Sequence, residues 1–180
     1  MLFHSANSVT YLGRTLRINF PSRFPKPEEI LILTKKTNPS FSIKEKTRIT
    51  TEEIAKSADL RKFLKFSEKT SIKVGSFEIK MAEVAPDKDK YNIFINDSAY
   101  FLTFLPEIFF PFREGSTLLL PADSEYFSES DFFKIEDFVA GTKPSKIVIS
   151  GNYSEKLFSL LQDKRNAEIR NEISQENLFA

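Results

Sequence analysis

At 180 residues and 41% hydrophobic content, the chain is long enough to bury one sizeable core; it holds no cysteine, which excludes disulfides, Cys-ligated zinc and thiol chemistry together. Its net charge is only +1 but is unevenly placed: residues 1–50 carry nine Lys or Arg against three Glu, a net of +6, leaving −5 for the remainder. No apolar run approaches the roughly 20 residues that cross a bilayer, and the first ten residues lack a secretory pattern, so a cytoplasmic protein with no membrane association is expected.

In chain order, residues 7–12 and 15–20 read as a hairpin turning at Gly13-Arg14. His4, the only histidine, stands at the edge of the first strand and cannot build a multi-histidine site. After the Pro-rich loop of residues 20–27, Ile30-Leu31-Ile32-Leu33 is short enough to be a buried strand, and it opens into the polar stretch Thr34 to Ser40. Glu52 and Glu53 begin a helix capped by Thr50 or Thr51, with Ile54, Leu60, Phe63 and Leu64 on its apolar face. Residues 69–79 read as two short strands kinked at Gly75, followed by a strand from Lys80 to Val84. Residues 91–96 and 99–104 pair around a turn at Asn96-Asp97. An apolar loop, 106–112, precedes a helix opened by Ser130-Asp131, with Phe132, Phe133, Ile135, Phe138 and Val139 buried and an end at Gly141. The strand Ile147 to Ile149 leads to a last helix capped by Ser154, in which Leu157, Phe158, Leu160 and Leu161 pack. Nineteen Phe and no Trp assign the packing to Phe, and Phe77, Ile79, Phe101, Ile147 and Ile149 are the expected core.

The order and spacing of these segments resemble the metallo-β-lactamase-fold hydrolases. In that family a strand ending in Thr opens into an HxHxDH ligand motif; the corresponding positions here hold Lys35, Thr37, Pro39 and Ser40, none of them a zinc ligand at neutral pH. Asn19 and Phe20 stand near the family's buried Asp. Ala85-Pro86-Asp87 follows the strand that should deliver the third His. Thr103 is followed by Phe104 and Leu105 where a Gly and the bridging Asp belong, and Ser150 precedes Gly151 in place of the late His. The resemblance implies an α/β chain, an αββα four-layer sandwich of the metallo-β-lactamase type, shortened, with one domain over residues 1–173 and a tail over 174–180. It also implies a fold kept while the metal chemistry is lost.

Other chemistry finds little support. Asp87, Asp89 and Asp97 could in principle hold magnesium, but Lys88 and Lys90 interleave the first two and Asp97 sits in a turn. Ser5 and Ser150 have no evident base, and no Gly-rich phosphate loop is present. No catalytic residue, cofactor site or metal ligand is therefore assigned, and a conventional enzyme is not expected.

Two surfaces suggest binding. Lys35, Lys36, Lys44, Lys46 and Arg48 cluster on or after the loop beside the former metal cleft and could hold phosphate groups, including those of a nucleic acid. The acidic Asp123-Glu125-Glu129-Asp131 segment would restrict such contact to one face. The tail ends in Gln175, Leu178 and Phe179, and the spacing Gln-x-x-Leu-Phe resembles the peptide by which bacterial replication and repair proteins bind the sliding clamp. The expected function is a non-catalytic scaffold or subunit acting on another protein. Two alternatives stay open: an accessory factor in DNA replication or repair that binds a sliding clamp through its tail, and a hydrolase with a rebuilt site.

Overall fold

Two sheets built from consecutive halves of the chain face each other in the computed structural model, which describes residues 1–20, 23–36, 43–67, 70–106, 115–162 and 168–171. The first sheet holds β1 (Leu2–Ser5), β2 (Ser8–Tyr11), β3 (Arg14–Ile18), β4 (Ile30–Ile32), β5 (Thr47–Thr50) and β6 (Leu64–Lys65), in sequence order. It begins antiparallel and becomes parallel from β3 onward. The second holds β7 (Ser71–Val74), β8 (Phe77–Val84), β9 (Tyr91–Ile95), β10 (Ala99–Phe101), β11 (Thr117–Pro121), β12 (Lys146–Ser150) and β13 (Glu168–Asn171), again in order. It too starts antiparallel and turns parallel, from β10.

Parallel neighbours need crossovers, and helices supply three of them. Helix α1 (Glu52–Ser57) joins β5 to β6, α2 (Phe132–Thr142) joins β11 to β12, and α3 (Ser154–Leu161) joins β12 to β13. The helices cover the outer faces and the inner faces meet in one apolar cluster, which gives the α–β–β–α layering. Strands β4 and β11 are buried at every position, as parallel strands covered on both faces must be. Phe77, Ile79, Phe101, Ile147 and Ile149 are all in the core, as their pattern predicts.

Several local expectations change. Thr51 caps α1, its Oγ1 accepting from Ile54 N at 3.4 Å, while Thr50 Oγ1 instead donates to Leu33 O at 2.8 Å. The helix stops at Ser57, because Asp59 turns left-handed (φ 49°) and the amides of Asp59 and Leu60 close back on Lys56 O and Ala55 O. Leu60 and Phe63 thus fall beyond it and Leu64 enters β6. The strand expected from Lys80 starts at Phe77, and Gly75 makes a hairpin between β7 and β8 in place of a kink. Phe133 is 71% exposed, since it lies about 100° round α2 from the buried Phe132. That helix runs on past Gly141, ending where Lys143 adopts φ 50°. Ser154 is buried in the first turn of α3 and is not its cap, and β13 was not expected. The tail and residues 107–114 lie outside the described residues.

Candidate functional site

The carboxyl ends of β3, β4, β10, β11 and β12 gather along one rim of the sandwich, where open α/β folds place their ligand sites. The residues at that rim are occupied with one another. Asn19, just past β3, has a left-handed backbone (φ 63°) that Asn tolerates better than most residues. Its Oδ1 accepts from Thr34 N at 2.7 Å, and its Nδ2 donates to Thr34 Oγ1 at 2.8 Å and to the Tyr126 hydroxyl at 2.9 Å. Tyr126 comes from the turn after β11, so this cluster ties the first sheet to the second. Burial pushes the Tyr126 phenol well above its ordinary range and keeps it neutral, although the bond to Asn19 pulls slightly the other way.

Lys35, the next residue on the rim, pairs its ammonium with the Glu125 carboxylate and places it 4.2 Å from the centroid of the Tyr126 ring. Its side chain is 12% exposed, whereas that of Glu125 is 62% exposed. The backbone around it is knitted to the β8–β9 loop: Lys36 N donates to Asp89 O at 2.7 Å, and Tyr91 N donates to Thr34 O at 2.8 Å. Further round, Asn92 Oδ1 accepts from Thr103 N at 2.6 Å and from Thr103 Oγ1 at 3.0 Å, while Nδ2 donates to Phe104 O at 3.0 Å. Asp123 Oδ1 caps the chain before α3 by accepting from Asn152 N at 2.7 Å. Ser150 Oγ accepts from Ala6 N at 3.2 Å, a second tie between the sheets.

Beside this rim lies a 490 Å³ cleft bordered by Lys90, Phe104, Leu105, Tyr126, Asp131 and Lys134, so its wall mixes aromatic surface with both signs of charge.

Among the described residues of the rim, the donor set does not fit a divalent metal. Lys35 offers only N–H donors, Tyr126 is a neutral phenol, and the Asn19 carboxamide is already shared between Thr34 and Tyr126. Among the described residues, no three His, Cys, Asp or Glu side chains are grouped to hold a metal ion. Thr37, Pro39 and Ser40 lie outside the described residues.

The residues expected to hold phosphate differ in their surroundings. Lys36, Lys44 and Lys46 are exposed. Arg48, by contrast, is turned inward on its own loop, Nε donating to Glu45 O at 2.6 Å and Nη2 to Ile43 O at 3.1 Å. Lys35 is taken by Glu125, so one cation of the basic set is paired with one residue of the acidic segment. Sequence reasoning placed Asn19 and Lys35 at the rim but missed Tyr126 and Asn92. Asn92 is signalled only as a polar residue inside the apolar run 91–95, and Tyr126, set among acidic and hydroxyl residues, carries no local signal.

No family model and no curated protein matches the chain. Solved structures do match. A Parabacteroides distasonis protein named as a metal-dependent hydrolase superposes with a TM-score of 0.66 at 15% identity, over 96% of this chain and 92% of that one. The metallo-β-lactamase fold protein YhfI from Bacillus subtilis gives 0.63 at 12% identity, over 93% and 87%. A Thermotoga maritima protein, named as a zinc-dependent hydrolase of the metallo-β-lactamase superfamily, gives 0.54 at 11% identity, over 93% and 94%. With nearly the whole length of this chain aligned to each of them, the chain has the metallo-β-lactamase fold.

Proposed function

We propose that this domain is a non-catalytic member of its fold class that works by binding another macromolecule. The observation that carries the reading is the Lys35 ammonium, paired with Glu125 and seated on Tyr126 at the strand-end rim. A site of this kind activates water when a metal supplies positive charge and an open coordination position. Here the positive charge is a side chain with no open position, and the neighbouring polar groups hold one another. Under this reading residues 1–173 are the domain and the tail is its contact segment, with Gln175, Leu178 and Phe179 meeting the partner and a sliding clamp the first candidate. Lys36, Lys44 and Lys46 would add a phosphate contact should the partner carry nucleic acid.

The test has two arms. Purified protein is incubated with zinc, manganese or iron and assayed on a phosphodiester, a thioester and a β-lactam. The expected result is no turnover above buffer, and chelator-sensitive hydrolysis overturns the proposal. In the second arm, a purified sliding clamp is titrated with the wild-type chain and with Leu178→Ala/Phe179→Ala. Saturable binding lost in the double variant supports the tail contact, and equal or absent binding removes it.

A further inference from the structure

The strand-end rim of this chain holds a cation that belongs to the chain itself, the Lys35 ammonium. We propose that Lys35 acts as a tethered cation in place of a metal ion, fastening the end of β4 in the first sheet to the turn after β11 in the second and shutting a divalent ion out. Three observations converge. The Lys35 side chain is only 12% exposed, so it is not one of the solvated lysines of a surface loop. Its two partners, the Glu125 carboxylate and the π face of Tyr126, are consecutive residues of the turn that follows β11 of the opposing sheet, so one charged atom draws both to the β4 end. The Tyr126 hydroxyl is in turn fixed by Asn19, just past the neighbouring strand β3, and its ring face is turned to the ammonium.

A metal ion in such a rim joins side chains from several strands through short directional bonds. Lys35 joins fewer groups but arrives covalently attached, so no ion has to be captured. Its charge would also repel a divalent ion from the same volume. Lys35 makes this link whether or not the tail meets a partner.

The experiment compares Lys35→Met, which keeps the length and apolar stem but removes the ammonium, with Glu125→Gln and the double variant. Each single change is expected to lower the melting temperature by about 2–4 °C, and the double change by no more than the larger single one, because both remove the same link. Hydrogen exchange should quicken at the amides of Lys36 and Tyr91 in Lys35→Met while the Glu78 amide on the distant hairpin keeps its rate. An unchanged or raised melting temperature in Lys35→Met overturns the proposal, since a replaceable pair is no fastener. If Lys35→Met does not fold, Glu125→Gln decides, and an unchanged value there overturns it. Wild-type protein dialysed against zinc chloride should retain no stoichiometric zinc by elemental analysis; one zinc per chain overturns the exclusion.

Discussion

Asn19 grips Thr34 at two points, accepting from its backbone amide and donating to its hydroxyl, and so clamps together the ends of two parallel strands. The same carboxamide reaches Tyr126 in the opposite sheet, so one small side chain serves three buried groups. Asn19→Ala should therefore lower stability by about 2–4 kcal/mol in urea titration, because it strands those groups without partners. Asn19→Gly removes the same bonds but accepts φ 63°, and should be less damaging than Ala by about 1 kcal/mol. Equal losses would show that the backbone conformation carries no strain.

Phe77 is fully buried in β8 and meets Tyr11 of the first sheet edge-on, at 6.3 Å between ring centroids. Phe77→Ala should cost about 3–5 kcal/mol by denaturant unfolding, with a midpoint shift at constant m-value.

Gly151 adopts φ 110°, and a Cβ placed there would come within 2.6 Å of the Asp123 carboxyl carbon. Gly151→Ala combines backbone strain with displacement of the carboxylate that holds Asn152 N. A loss of about 2–4 kcal/mol is expected by thermal or chemical unfolding. Asp123→Ala/Gly151→Ala should then lose less than the two separate changes added together.

The Asp131 side chain closes a capping box ahead of α2, Oδ2 accepting from Ser128 N at 2.9 Å and Ser128 Oγ at 2.7 Å. Partial burial pushes its carboxyl up, but the Ser128 bonds and the Lys134 charge together outweigh this and hold it below the usual aspartate range. A depressed folded-state value stabilises the protein above the unfolded value and loses that effect as pH falls through the folded one. Asp131→Ala should cost about 1 kcal/mol at neutral pH, and the gap from wild type should narrow below about pH 4. A gap constant to pH 2 would assign the effect to packing.

The strands built around continuous apolar runs, such as Ile30–Ile32 and residues 147–149 within Lys146–Ser150, were legible because burial on both faces leaves no polar position inside the run. β13 was not, since Glu-Ile-Arg-Asn has no apolar alternation and gains its place by pairing with β12. β6 was absorbed into the preceding helix because Leu60, Phe63 and Leu64 keep helical spacing; Asp59 interrupts it through a backbone conformation that composition does not encode. At the rim, Asn19 and Lys35 could be located by their place after strands. Their partner Tyr126 is 107 residues beyond Asn19, and only the completed fold brings it there. Glu125 was legible as an acidic residue but not as the counter-charge of Lys35, because pairing across sheets leaves no mark in local sequence.

The division of the sheets by chain order bears on synthesis at the ribosome. Every strand of the first sheet lies before residue 66 and every strand of the second after residue 70, so the first sheet can pair completely while the second is still being made. During that interval the face bearing Leu16, Ile18, Ile30, Ile32 and Ile49 has nothing to cover it, although all five are buried in the finished protein. A chain truncated between the sheets is accordingly expected to form strands and then aggregate through that face, measured by light scattering against the full-length protein.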